Sequence, residues 1–102
     1  MRVIFHPEAE AELMDAARQY DNARKGLGDE FTDAVQNRVT ESARHPSSWP
    51  VVRDPVRRVR VPRFPYDVLI AETTHGLAIL AVMHHHRHPE YWLDRFQDID
   101  GQ

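Results

Sequence analysis

The chain has 102 residues, 41% of them hydrophobic and 28% charged, with a formal net charge of −3 and no cysteine. That length predicts one domain over residues 1–102, and the composition is that of a globular chain, which excludes a disordered or fibrous one. Without cysteine, a disulfide framework, a thiolate zinc site and a cysteine nucleophile are excluded as well.

The first apolar run, residues 2–5, reads as a short N-terminal strand ending at His6-Pro7. It has neither the apolar stretch nor the small-residue cleavage site of a signal peptide. The longest apolar run, Leu77 to Met83, falls well short of the ~20 residues that span a bilayer. A cytosolic protein with no membrane partner is the expectation. Pro7 suits the first turn of a helix, and Ala9, Leu13, Ala16, Ala17 and Tyr20 then fall on one stripe of a 3.6-residue period. Glu8, Glu10 and Glu12 crowd the N-terminal turns, where the helix dipole favours negative charge, so a structural role is expected of them. Gly26-Leu27-Gly28 breaks the pattern. A second stripe, Phe31, Ala34, Val35, Val39 and Ser42, runs to His45-Pro46 and completes an αα-hairpin.

Beyond Pro46 the period changes. Ser47 to Pro50 reads as a loop, Val51 to Pro55 as at most a short edge strand, and Arg57 to Phe64 alternates arginine with valine. Alternation puts Val59 and Val61 on one face and Arg58 and Arg60 on the other. Tyr66 to Thr73 and Leu77 to Met83 are apolar on both faces, as central strands are, with a hairpin loop over Thr73 to Gly76. Pro89 to Phe96 suits a last short helix, and residues 97–102 read as a frayed tail. The predicted class is α+β: an N-terminal strand, an αα-hairpin, an antiparallel sheet of three or so strands and a short C-terminal helix.

Charge is unevenly distributed. Residues 1–43 carry 5 basic and 9 acidic side chains, residues 44–66 carry 6 and 1, and residues 67–102 carry 2 and 6. All six basic residues of the middle block are arginines, and Arg57, Arg58, Arg60 and Arg63 fall within seven positions. Such a row matches carboxylates or phosphates, or else keeps a strand edge solvated. After the last strand comes His84-His85-His86-Arg87-His88. Alternation puts His84, His86 and His88 on one face, where two imidazoles could chelate a metal, and His85 and Arg87 on the other. No H-E-x-x-H helix and no carboxylate at a telling spacing accompanies them, so neither a metal nor a cofactor is predicted. The remaining readings are polar strand-end residues or acid–base chemistry.

Arg58, Arg60, His85, Arg87 and Tyr91 together carry what metal-independent RNA cleavage needs. A 2′-hydroxyl must lose a proton, charge builds on the phosphoryl oxygens, and the 5′-oxygen must gain a proton. Histidine titrates near neutral pH, whereas tyrosine needs a cationic neighbour, which Arg87 could provide for Tyr91. Packing against the sheet is the alternative for Tyr91 and Trp92. Neither a G-x-S-x-G elbow nor a phosphate-cradling glycine loop occurs, which leaves serine hydrolase and nucleotide-dependent chemistry without support.

The order of elements, with Ala9…Glu12-Leu13…Ala16…Tyr20 and Leu27-Gly28…Phe31 in the helices, resembles the RelE/ParE superfamily of toxins from bacterial type II toxin–antitoxin pairs. The resemblance continues through Arg57-Arg58…Arg63-Phe64-Pro65-Tyr66 and Ile79-Leu80-Ala81-Val82-Met83-His84-His85-His86-Arg87-His88-Pro89-Glu90-Tyr91-Trp92…Arg95, covering roughly residues 3–96. It implies a growth-inhibitory α+β toxin in a hetero-oligomer with a cognate antitoxin, whose acidic C-terminal segment wraps it. RelE-like members cut mRNA on the ribosome without metal, and ParE-like members poison DNA gyrase without hydrolysis. The sequence departs from both, since its only lysine is Lys25 and the place of the gyrase-directed L-H-Q-x-M-D reads Val82-Met83-His84-His85-His86-Arg87. By position His85, Arg87 and Tyr91 fall near the arginine and tyrosine places of the ribonucleases, with His85 where an arginine would stand. The implied cleavage set is therefore His85, Arg87, Tyr91 and Arg60, with Arg57, Arg58 and Arg63 left to bind the antitoxin or another anion. Gyrase inhibition and a binding module that has lost toxicity are the alternatives.

Overall fold

The run Val3-Ile4-Phe5 forms strand β1 (Val3–Phe5) in a computed structural model that describes residues 1–100. Pro7 opens helix α1 (Pro7–Ala23), and His6 caps it, its Nδ1 accepting the backbone N–H of Glu8 at 3.1 Å. An imidazole thus does the work usually given to a serine or aspartate. Gly26, at φ 89°, turns the chain into helix α2 (Leu27–Arg44). The free N–H of Gly28 is taken by the Asp21 carboxylate of α1 at 2.7 Å, so one helix caps the other. Both predicted stripes face inward: Ala9, Leu13 and Ala16 are buried on α1, and Phe31, Val35, Val39 and Ser42 on α2. Ala17, Tyr20 and Ala34 are partly buried against the same core.

After a 3-10 turn over Pro46–Ser48 come β2 (Val51–Arg53), β3 (Val56–Arg60), β4 (Tyr66–Thr73) and β5 (Gly76–His84). The α+β class and element order match the sequence reading, but the sheet is larger: five strands in the order β1-β5-β4-β3-β2. It is mixed, because β1 returns to pair parallel with β5, Val3 opposite Leu77 and Phe5 opposite Ile79. A crossover long enough to hold the whole αα-hairpin makes that parallel pairing possible. Within the β4–β5 ladder Leu69 faces Ala81 and Ile70 faces Ile79, which leaves Leu80 as an extra residue in β5.

Two cores explain why β4 and β5 are apolar on both faces. The first lies under the αα-hairpin and contains Phe31, Val35, Val59, Val68, Ile70, Ile79 and Val82. The second, on the other side of the sheet, joins Val56, Leu69, Leu80 and Ala81 to Trp92, with Leu93, Phe96 and Ile99 packed against it. That second core shifts the last helix from its predicted place. Pro89 to Trp92 are turns, and α3 spans Leu93–Asp100. Trp92 Nε1 donates to the Pro89 carbonyl at 2.6 Å, and Asp98 bonds His6 Nε2 at 2.8 Å, so residues expected in the tail continue the helix. Residues 101 and 102 lie outside the described residues. No helix among the described residues is long and apolar enough to cross a membrane.

Candidate functional site

The alternation of β3 decides which arginines meet. Val59 enters the helix-side core, so Arg58 and Arg60 point to the opposite face, where Arg58 stands across from Leu69 and Arg60 across from Asp67. On the next strand Asp67 faces Met83, two residues before His85. These side chains, with Arg87 and Trp92, line a cleft of about 620 Å³ at this end of the sheet. Across its rim Arg53 pairs with Glu90 at 2.8 Å.

His85 is held there from two sides. Its backbone N–H donates to the Pro65 carbonyl at 2.9 Å, and its Nε2 lies 3.1 Å from Asp67 Oδ1. Asp67 is only 5% exposed, whereas Arg58, Arg60 and Arg87 are exposed. A carboxylate accepts only, so Nε2–H donates to it and the Nδ1 lone pair remains free to take a proton. Besides Arg53, which Glu90 engages, the cleft therefore combines three arginines with one imidazole set on a buried carboxylate. Such an arrangement binds a phosphodiester or carboxylate and can move one proton.

Four of the sequence candidates, Arg58, Arg60, His85 and Arg87, converge in this cleft. Arg57, Arg63 and Tyr91 do not. Arg57 lies on the helix side and donates to the Trp49 carbonyl at 2.7 Å, bracing the loop before β2. Arg63 adopts a left-handed backbone (φ 73°) and donates to Glu30 of α2 at 2.8 Å. The Arg63 guanidinium, helped by Arg24, holds the Glu30 carboxyl below its usual range.

Tyr91 donates its hydroxyl to Glu12 Oε2 at 2.6 Å. The Arg87 guanidinium does lie over its ring, 3.9 Å from the centroid, as the four-residue spacing suggested. Burial, followed by the bond to Glu12 and the charge of Glu12, nevertheless outweighs the arginines and pushes the phenol pKa far up. A phenol so placed stays protonated at neutral pH and, with its proton directed at Glu12, offers no base to the cleft.

The remaining histidines have other partners. His84 packs edge-on against Tyr66 and His86, with centroids 5.0 and 4.9 Å apart, and its Nδ1 accepts the His86 N–H. His88 Nδ1 accepts the Glu90 N–H. Among the described residues no three His, Asp or Glu side chains gather as metal ligands.

Two carboxylates escaped sequence reasoning. Asp67 is the lone charge among the buried residues of β4, which was the available signal. Glu12 was assigned to the helix dipole, yet it lies between Ala9, Leu13 and Ala16 on the buried stripe. Its Oε1 accepts Val82 N–H and Arg95 Nη1, and its Oε2 accepts Tyr91 O–H and Arg95 Nη2, at 2.6–3.0 Å.

A family model described as the ParE toxin of the type II toxin–antitoxin system parDE matches residues 3–89. The chain belongs to the ParE toxin family. Membership makes it a toxin of a type II toxin–antitoxin pair and gives it a cognate antitoxin as partner. No curated protein matches the chain. The part of this ParE-family toxin that the family model matches contains Arg58, Arg60, Asp67, His85 and Arg87, and ends before Tyr91 and Arg95.

Proposed function

We propose that this toxin arrests growth by cutting mRNA on the ribosome, with the cleft of Arg58, Arg60, Asp67, His85 and Arg87 as the site that receives the scissile phosphate. The convergence of three arginines on an aspartate-backed histidine carries this reading. His85 takes the 2′-hydroxyl proton as that oxygen bonds to phosphorus. Asp67 stabilises the imidazolium formed, and the arginines balance charge on the phosphoryl oxygens. The bond from phosphorus to the 5′-oxygen breaks, that oxygen takes a proton from water, the His85 imidazolium returns its proton to the hydroxide so formed, and a 2′,3′-cyclic phosphate and a 5′-hydroxyl result. Tyr91 takes no part in proton transfer.

A second reading is favoured by Tyr91 itself. With its hydroxyl held by Glu12, His85 is the one remaining proton carrier of the predicted set, and gyrase poisoning needs none. One induced culture separates the two. Ribosome-phased mRNA ends without double-strand breaks are the expected outcome, and His85→Ala and Arg87→Ala each slow cleavage roughly 10²-fold while antitoxin affinity holds. Double-strand breaks with an SOS response and no phased ends would overturn cleavage in favour of gyrase. Unimpeded growth with abundant folded protein would leave only an antitoxin-binding module.

A further inference from the structure

Arg87 stands in the turn after β5, on a long side chain that solvent reaches. What sits under its guanidinium is the Tyr91 ring at 3.9 Å, and the Arg95 guanidinium lies over the same ring at 4.8 Å. That ring is itself fixed. Its hydroxyl ends on Glu12, and the two oxygens of Glu12 are filled by four donors from Tyr91, Arg95 and the backbone of Val82. A carboxylate with about four acceptor sites is saturated by that set and has no freedom to turn.

We infer that Glu12 and Tyr91 are positioning residues: Glu12 anchors the phenol, and the phenol ring holds the Arg87 guanidinium at the cleft. A cation is attracted to the face of an aromatic ring. Donation of the hydroxyl proton to a carboxylate makes the ring richer in electrons, which strengthens that attraction. Burial keeps the phenol neutral, so its ring remains a platform and not a counter-ion. The residue that looked like an acid–base group thereby acts through a neighbour, and a helix-1 carboxylate reaches the cleft through it. The inference rests on the cleft being the phosphate site of the proposed function.

The test uses the full chain with phenylalanine, fluorinated phenylalanines and leucine at position 91, together with Arg87→Ala. Glu12→Gln is unsuitable, because an amide cannot accept four donors and the fold would suffer. The probes are inorganic phosphate and an RNA trinucleotide with a 2′-deoxy sugar at the scissile position, which binds without reacting. Expected in the native chain are Arg87 side-chain NMR signals displaced by the ring current, a displacement lost in Tyr91→Leu. Trinucleotide affinity should fall about tenfold in Tyr91→Leu and in Arg87→Ala, and no further in the double variant, as cation–π energies imply. Tyr91→Phe should lose about threefold, and each added fluorine more, since these rings keep their shape and shed only electron density. Arg87 signals indifferent to residue 91, additive losses in the double variant, or equal affinity across the fluorinated series would overturn the inference. Coupled affinities without any RNA cleavage would leave it standing and overturn the cleavage reading, so the two failures are distinct. Leucine is dispensable if that variant does not fold, because the phenylalanine series carries the same comparison.

Discussion

Four imidazoles stand at positions 84, 85, 86 and 88, and each meets a different neighbour. His84 stands in an unfavourable place for a charge. Its burial, then the nearby His86 and His85, lower its pKa from the usual 6.5. As pH falls below that value the unfolded chain takes up the proton first, so it binds more protons than the native state and stability declines. The midpoint of urea denaturation should therefore drop between about pH 7.5 and about pH 5.5, and by less in His84→Gln. Equal drops in the two proteins would mean that His84 titrates alike folded and unfolded. At this scale the sequence showed that Arg58 shares a strand face with Arg60, because alternation is local, whereas His85 and Arg87 reach the cleft from the turn after β5. It did not show Asp67 under His85, or Glu12 under Tyr91. Those pairs are separated by 18 and 79 residues, and only the sheet and the α1–β5 packing bring them together.

Helices α1 and α2 meet through a glycine. A Cβ on Gly28 would come within 2.3 Å of the Ala17 carbonyl oxygen and 2.7 Å of the Asp21 carboxylate that caps α2. Glycine to alanine in a helix ordinarily adds roughly 0.5–1 kcal/mol of stability. Here the helices must part instead. Gly28→Ala should cost about 1–3 kcal/mol, as overpacked sites do, and chemical denaturation reads it directly. A variant as stable as the native chain would show that the hairpin has slack. The two helices were legible because each keeps its apolar stripe over several turns. The parallel β1–β5 pair was not, since a three-residue run does not specify its partner. The start of α3 was displaced because Tyr91 and Trp92 are tied by hydrogen bonds to Glu12 and Pro89, and the helix begins only after them.

Over the whole molecule, a net charge of −3 conceals an arginine block of +5 across residues 44–66, and folding turns Arg58 and Arg60 of that block to one exposed face. We propose that the antitoxin meets this face with acidic side chains, so that its approach is steered, an effect that would appear in the association rate and be screened by salt. Arg58→Glu with Arg60→Glu should slow association about tenfold at low salt and flatten its salt dependence, measured by stopped-flow mixing with the cognate antitoxin. Unchanged kinetics would move the antitoxin to the helical hairpin.

The extra residue in β5 determines more than a local kink. Up to Ile79 the odd-numbered residues of that strand enter the core beneath the hairpin. Leu80 and Ala81 both turn to the other core, and from there the even-numbered Val82 enters the hairpin core instead. Parity thus inverts halfway along the strand, and that inversion is why His85 meets Asp67 while His84 meets Tyr66. Losing one codon at position 80 or 81 would only remove that extra residue: the one left would stand opposite Leu69, and both histidines would keep their sides of the sheet. The paired half of β5 that precedes the bulge would remain in register. For this toxin, loss of Met83, beyond the bulge, is a one-residue deletion that would set His84 opposite Asp67 and present the wrong imidazole to the cleft.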